Sequence, residues 1–188
     1  MIKIARRIAF FLFILLHFSF LLVIFYESTN TFLLIGLLLI ISFSISIAYF
    51  KAPREEEEHF FEDLYNIVFV VIGCIITFFL NQKIQLGPVL AAGLTGTVAS
   101  FIPNFFRRKK NFIKEIPAAI YCGAFLGMTG PAVTENWKFI LLAAFITGVF
   151  YISSKNIFQG YGGKLGSVAF GGVAITSTFL FLISEWNL

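Results

Sequence analysis

Charged residues are scarce in this sequence. Asp, Glu, Lys and Arg make up 13% of the 188 residues, whereas 59% are hydrophobic and the mean hydropathy is +0.90. A soluble domain carries about a quarter charged residues, because polar groups must cover its surface. A water-soluble fold is therefore nearly excluded, and the lipid bilayer is the expected environment. Each transmembrane helix takes about 20 residues, so residues 1–188 are expected to form a single transmembrane domain.

Residues that carry catalysis or bind metals are also few. The two cysteines, Cys74 and Cys122, lie in apolar runs without a second sulfur or a histidine at metal-ligand spacing. They are interpreted as small buried hydrophobic residues. The sequence has no Ser/His/Asp set and no paired carboxylates on adjacent apolar runs, so we expect neither an enzyme nor a cofactor. The net charge of +4 forms no basic domain, which disfavours nucleic acid as a partner.

Seven apolar runs without an internal charged residue follow one another along the chain. They cover residues 8–26, 31–50, 64–80, 84–106, 116–133, 138–154 and 164–184. A charge at the centre of a transmembrane helix costs about 2.5–3.5 kcal/mol, so uncharged runs of this length are typical of membrane spans. The sequence predicts an all-α polytopic membrane protein, a bundle of about seven transmembrane helices.

The distribution of basic residues predicts the orientation. With seven spans and a cytoplasmic N-terminus, twelve of the 14 Lys and Arg residues fall inside, and only Lys83 and Lys138 fall outside. The positive-inside rule therefore indicates a multi-pass protein of the cell membrane, or inner membrane, with its N-terminus in the cytoplasm. The run 116–133 is short and rich in glycine, and a re-entrant loop there would leave six spans.

Composition divides the chain at an acidic loop over residues 51–63. Residues 1–50 are expected to form a peripheral helical hairpin rich in Phe and Leu, and residues 64–188 a five-helix core. Gly, Ala, Ser and Thr collect in the core, where they allow helix backbones to approach closely.

Small residues recur at helical spacing on three of the core spans. They are Gly93, Thr97 and Ser100 in the fourth run, Gly123 and Gly127 in the fifth, and Ser167 and Gly171 in the seventh. Steps of three and four residues place such positions on one face of a helix. These faces either pack against neighbouring helices or line a pathway, and the sequence leaves both interpretations open.

A weak internal repeat relates the fourth and seventh runs. The pattern from Leu86 to Thr97 recurs 79 positions later, from Leu165 to Thr176. With seven spans these two helices cross the membrane in opposite directions, so the repeat would be inverted. Inverted repeats are typical of many transporters.

Prolines predict where helices are irregular. Pro103 has no N–H and frees the carbonyl of Ala99, so we expect the fourth helix to kink there. Pro117 is expected in the first turn of the fifth helix, where proline is tolerated.

Two features are candidates for function outside the small-residue faces. His17 lies near the centre of the first span, where an ionisable residue is either functional or a neutral imidazole bonded to backbone. The expected cytoplasmic loops carry two patches of opposite charge, formed by Glu55, Glu56, Glu57 and Glu58 and by Arg107 and Arg108. A cytoplasmic protein partner is expected to dock there.

The absence of a central carboxylate in any run disfavours an ion-coupled carrier. The polar groups in the runs are hydroxyls and amides, which suit a neutral or weakly polar solute. The first functional hypothesis is a small channel, facilitator or uncoupled transporter. The alternative is a non-transporting membrane subunit, such as an anchor, sensor or assembly factor, that acts through helix packing and a partner. A homo-oligomer fits either hypothesis.

Overall fold

A computed structural model describes residues 2–27, 32–51, 64–105, 111–134, 136–155, 157 and 162–186. The regular elements in these ranges are helices: α1 (Ile2–Glu27), α2 (Phe32–Lys51), α3 (Tyr65–Gln82), α4 (Pro88–Ser100), α5 (Ile102–Phe105), α6 (Asn111–Gly127), α7 (Trp137–Ser154) and α8 (Lys164–Trp186). Six are long and apolar enough to cross a membrane, with α4 and α5 counted together and α6 not included. The predicted all-helical class is confirmed.

Helix α6 begins earlier than the sequence predicts. The apolar run starts at residue 116, but the helix starts at Asn111 and ends at Gly127. Pro117 therefore lies inside the helix, and the expectation that it stands in the first turn is wrong. A proline at this position leaves the carbonyl of Ile113 without its helical donor. The longer helix also includes Glu115, which the run had left outside.

The predicted break near Pro103 is confirmed. Helix α4 ends at Ser100, and the four-residue α5 follows after a turn at Phe101. Two hydrogen bonds of the 3-10 type close the turn. Phe101 N donates to Val98 O at 3.2 Å, and Asn104 N donates to Phe101 O at 3.0 Å. Because Pro103 offers no N–H to Ala99, the α-helical ladder cannot continue through this point.

The chain forms two compact units. The first comprises Met1–Glu57 and Ser154–Gly162, and the second comprises Glu58–Ser153 and Gly163–Leu188. In the first unit, α1 and α2 bury few side chains, among them Phe13 and Tyr49. Large apolar side chains cover the rest of this hairpin, as expected of helices that face lipid.

In the second unit α3 and α6 run parallel, side by side. Asn66 meets Glu115 at one end, Gly73 meets Ile120 in the middle, and Gln82 meets Thr129 at the other end. Residue numbers rise together along both helices, which fixes the parallel direction.

Helices α4 and α7 run antiparallel to this pair. On α4, Thr95 bonds to Thr77 of α3, and Ala99, four residues further along α4, packs with Ile116 near the start of α6. On α7, Trp137 packs edge-on to Phe78 of α3 with ring centroids 4.9 Å apart. Eleven residues further along α7, Gly148 contacts Ile67 of α3.

The core of the second unit lies between α3, α6, α7 and α8. Its buried apolar members are Cys74, Phe78, Leu126, Ile140, Ala143, Ala144 and Ala169. Both cysteines are buried free thiols, in agreement with their interpretation as small hydrophobic residues.

The structure does not support the internal repeat. Gly87 lies in the loop before α4 with a positive φ of 80°, whereas its counterpart Gly166 lies in the first turn of α8. Gly93 has no neighbour within 4 Å of the place where a side chain would be, whereas its counterpart Gly172 contacts Thr147. The matched positions thus have different backbones and different surroundings.

Candidate functional site

Glycines form the contact between α3 and α6. A methyl group added to Gly73 would overlap the carbonyl of Ile120, and one added to Gly123 would overlap the carbonyl oxygen of Val70. On the next turn, a methyl group on Gly127 would lie 2.7 Å from the carbonyl oxygen of Cys74. The two backbones therefore touch over about two helical turns, as small residues permit in membrane helices.

On α6, the predicted small residues lie in this contact. Gly123 and Gly127 pack against the backbone of α3. Gly73, which the small-residue pattern did not include, lies on the α3 side of the same contact, against Ile120. It is the single glycine of α3, and its signal in the sequence is the four-residue step to Thr77.

The predicted face of α4 is not packed against any of the described residues. Gly93, Thr97 and Ser100 are exposed. The buried face of α4 carries Ala91, Ala92, Thr95 and Ala99, and Gly96 lies against the ring of Tyr121. The two faces are adjacent on the helix, and three- and four-residue spacing fits both of them.

The residues predicted on α8 are only partly buried in the core. Gly171 is buried, Ser167 is half-buried, and it is Gly172 that lies against Thr147 of α7. Of the predicted small residues, Gly123 and Gly127 therefore lie in the α3–α6 contact, whereas Gly93, Thr97 and Ser100 lie on the exposed face of α4.

Polar side chains of α3 form hydrogen bonds to α4 and to the end of α6. Thr77 Oγ1 donates to Thr95 Oγ1 at 2.9 Å, and both residues are buried. At the far end, Asn81 Nδ2 donates to Met128 O at 3.4 Å and Gln82 Nε2 donates to Thr129 O at 3.2 Å. These two amides satisfy carbonyl groups at and just beyond the end of α6, which have no helical donor.

A polar cluster of Tyr65, Asn66 and Glu115 lies at the opposite end of the α3–α6 pair. Tyr65 Oη donates to Glu115 Oε2 at 3.3 Å, and Asn66 Nδ2 donates to the same oxygen at 3.2 Å. Of the two acidic side chains that the structure describes, Glu27 is exposed and Glu115 is partly buried. Glu115 is therefore the carboxylate that packs among described helices.

Asn66 presents an amide oxygen that has no partner. The side chain is fully buried, and no group of the described residues donates to Oδ1. Because a carboxylate only accepts hydrogen bonds, the amide nitrogen must face Glu115, and Oδ1 is left without a donor. A buried polar atom without a partner costs roughly 1–3 kcal/mol. Oδ1 is therefore a candidate contact for a molecule that donates a hydrogen bond.

An apolar group borders the polar cluster. Ala99, Ile116 and Ile120 are buried together, with Phe69 and Ile102 packed against them. Ile116 directly follows Glu115, and the Phe69 ring meets the Tyr65 ring edge-on at 6.2 Å. The cluster thus lies at a boundary between polar side chains and an apolar layer.

Thr147 is a second buried residue with an unpartnered atom. Its side chain is fully buried, and Oγ1 has no hydrogen-bond partner in the part of the chain that the structure describes. A methyl group on Gly172 would overlap this oxygen, so the hydroxyl lies in the α7–α8 contact.

His17 joins the two helices of the first unit. Its Nδ1 lies 2.8 Å from Phe13 O and 2.9 Å from Tyr49 Oη. The carbonyl can only accept, so Nδ1 carries the proton, and the hydroxyl oxygen of Tyr49 accepts from the same N–H. His17 thus bonds to the backbone of its own helix, as in the hydrogen-bonded alternative, and also to Tyr49 of α2.

The predicted docking patches lie outside the described residues. This applies to Glu55, Glu56, Glu57 and Glu58 and to Arg107 and Arg108. Within the described ranges, no group of three or more His, Cys, Asp or Glu side chains is placed to hold a metal ion.

Comparisons with known proteins give no family for this chain: no family model, no curated protein and no solved structure matches it. The class of the protein is therefore inferred from the fold. Six candidate spans among the described residues indicate a multi-pass integral membrane protein.

Proposed function

We propose that the protein is an uncoupled facilitator for a small neutral or weakly polar solute, and that the solute contacts the Tyr65–Asn66–Glu115 cluster. The observation that carries this proposal is the unpartnered Oδ1 of the fully buried Asn66. Asn66 is the second residue of α3, and its burial in the protein, rather than depth in the bilayer, keeps water from Oδ1. An unsatisfied buried polar atom of this kind favours a functional role.

The proposed solute contact lies at the polar cluster and not on the predicted small-residue faces. Gly123 and Gly127 were candidates for lining a pathway, but no solute fits between backbones that touch. The polar cluster offers an amide oxygen, a phenol and a carboxylate instead. Because Glu115 lies in the second turn of α6 rather than at its centre, it is not placed as a midplane coupling site.

We also propose that α6 is a seventh crossing. It accompanies α3 from Asn66 to Gln82, and α3 is itself long enough to span. The chain leaves α6 at the end of the pair where α7 begins, since Trp137 packs on Phe78 of α3. A re-entrant segment would return to the end where it started. Seven crossings, together with the basic residues, favour an N-terminus in the cytoplasm of a cell-membrane protein.

The test is solute flux into proteoliposomes, followed by light scattering after a step in glycerol concentration. Wild-type protein is expected to admit glycerol faster than protein-free vesicles. Asn66→Leu is expected to lower the protein-dependent rate by about tenfold or more, the factor that corresponds to about 1.4 kcal/mol. Thr147→Val, which removes the other unpartnered buried oxygen, is the matched control and should leave the rate unchanged. Equal rates for wild type and empty vesicles would refute the proposal.

The exposed face of α4 favours a second candidate, a membrane subunit that assembles with a second copy of itself. Gly93, Thr97 and Ser100 face outward, although small residues gain little from contact with lipid and much from close contact with another helix. In a background without Cys74 and Cys122, Gly93→Cys should form an oxidised dimer in membranes. Val98→Cys, exposed on another side of the same helix, should not. Equal cross-linking at both positions would count against a specific interface.

A further inference from the structure

We infer that Glu115 is a positioning residue that makes the site selective for solutes that donate hydrogen bonds. It holds the amide of Asn66 in one orientation, with the oxygen presented to the solute. This inference rests on the proposed function, because it names the class of solute that the same cluster accepts.

The geometry leaves the amide one orientation. Asn66 Nδ2 lies 3.2 Å from Glu115 Oε2, and Tyr65 Oη donates to that same oxygen at 3.3 Å. If the amide were turned over, its oxygen would face a carboxylate oxygen, and two acceptors would meet with no proton between them. The nitrogen therefore faces Glu115, and the free amide atom is an acceptor.

The free acceptor determines what can bind. Asn66 is fully buried and Oδ1 has no partner, so a solute that donates a hydrogen bond replaces a missing interaction. A solute that only accepts leaves Oδ1 unsatisfied. Sites with such unpaired groups reject ligands that lack the matching group far more strongly than apolar pockets reject a wrong shape.

Replacement of Glu115 by Gln should remove this selectivity without removing the site. A glutamine amide both donates and accepts, so Asn66 can bond to it in either orientation. The site would then present either an oxygen or an NH2 group to the solute. Asn66→Leu, by contrast, removes both groups and should lower the flux of every solute that uses the cluster.

The experiment compares two small polar solutes in proteoliposomes, glycerol, which donates, and trimethylamine N-oxide, which only accepts. Wild-type protein is expected to admit glycerol at least about tenfold faster than trimethylamine N-oxide, after correction for empty vesicles. In E115Q the ratio of glycerol flux to trimethylamine N-oxide flux should fall at least about threefold, while the sum of the two fluxes persists. Thr147→Val should keep the wild-type ratio. A ratio in E115Q equal to that of wild type would overturn the inference.

A second measurement separates the inference from the proposed function. With 13C-labelled asparagine, glycerol should shift the infrared carbonyl band of Asn66, identified as the band that Asn66→Leu removes. Trimethylamine N-oxide should leave this band in place. A shift with glycerol and no flux would refute transport and retain the donor-selective site. Absence of any shift with glycerol, whether or not flux is present, would overturn the assignment of Asn66 and Glu115.

Discussion

Gly123 of α6 faces the carbonyl oxygen of Val70 in α3 so closely that no side chain fits between them. One helical turn later, Gly127 meets the backbone of α3 at Cys74 in the same way. Dispersion contacts between backbones are the main gain when helices associate in lipid, because lipid tails are as apolar as leucine. The α3–α6 pair is therefore held by direct contact of backbone with backbone.

A methyl group at this contact should destabilise the protein. Gly123→Ala forces α3 and α6 apart, and overpacking of this kind costs about 1–3 kcal/mol. Gly93→Ala is the matched control, since nothing lies within 4 Å of that site and alanine favours a helix by about 1 kcal/mol over glycine. Unfolding in detergent, followed by circular dichroism, should show a lower midpoint for Gly123→Ala only. Similar midpoints for both variants would contradict the close contact.

The hydrogen bond between Thr77 and Thr95 should be measurable as a coupling energy. Replacing each threonine with valine keeps the shape and removes the hydroxyl. Hydrogen bonds between membrane helices contribute about 0.6 kcal/mol on average, up to about 1.7. A double-mutant cycle of unfolding free energies should give a coupling within this range. Additive effects of the two substitutions would show that the bond does not form in the membrane.

The two ends of α6 should lie on opposite sides of the membrane. In a background without Cys74 and Cys122, Lys114→Cys and Val133→Cys place a thiol at exposed positions near each end of the helix. An impermeant thiol reagent should label Val133→Cys in intact cells and Lys114→Cys only in inverted vesicles. Labelling of both from the same side would establish a re-entrant segment instead.

His17 should carry its proton on Nδ1. The hydrogen bond to Phe13 O fixes this tautomer, because a carbonyl cannot donate. Nitrogen NMR of labelled histidine should show a protonated Nδ1 in wild type and in Tyr49→Phe, which keeps the bond to Phe13. The variant should still lose stability, by roughly 0.5–1.5 kcal/mol, since the contact between α1 and α2 loses one acceptor. An unprotonated Nδ1 in wild type would contradict the geometry.

Most helix positions could be predicted from the sequence. Long runs without charge are required wherever a helix lies in lipid, and this requirement is local. The second run, 31–50, matches α2, Phe32–Lys51, to within a residue at each end. The wrong start predicted for α6, residue 116 instead of Asn111, has a local cause as well. Lys114 and Glu115 mark an end in the hydropathy pattern, but Glu115 finds donors on α3 and stays within the helix.

The faces of the helices could not be predicted to the same degree. On α4, Gly93 and Thr97 form one small-residue stripe, and Gly96 and Ala99 form another about 110° away. Spacing alone fits both stripes, and the position of Tyr121 on α6 selects the second. For the same reason Gly73 was missed, because a single glycine shows no repeat until the helix that approaches it is known.

The sequence by itself determined that the protein lies in a lipid bilayer, that its fold is helical, and where along the chain most helices lie. Each of these follows from the hydropathy of single segments, because lipid selects for uncharged apolar residues in each segment separately. The tertiary structure decided which glycines lie in the contact between α3 and α6, and it left Asn66 Oδ1 buried without a partner among the described residues. Those outcomes depend on pairs of residues 45 to 55 positions apart, such as Asn66 with Glu115 and Val70 with Gly123. Only the packing of one helix on another brings such pairs together.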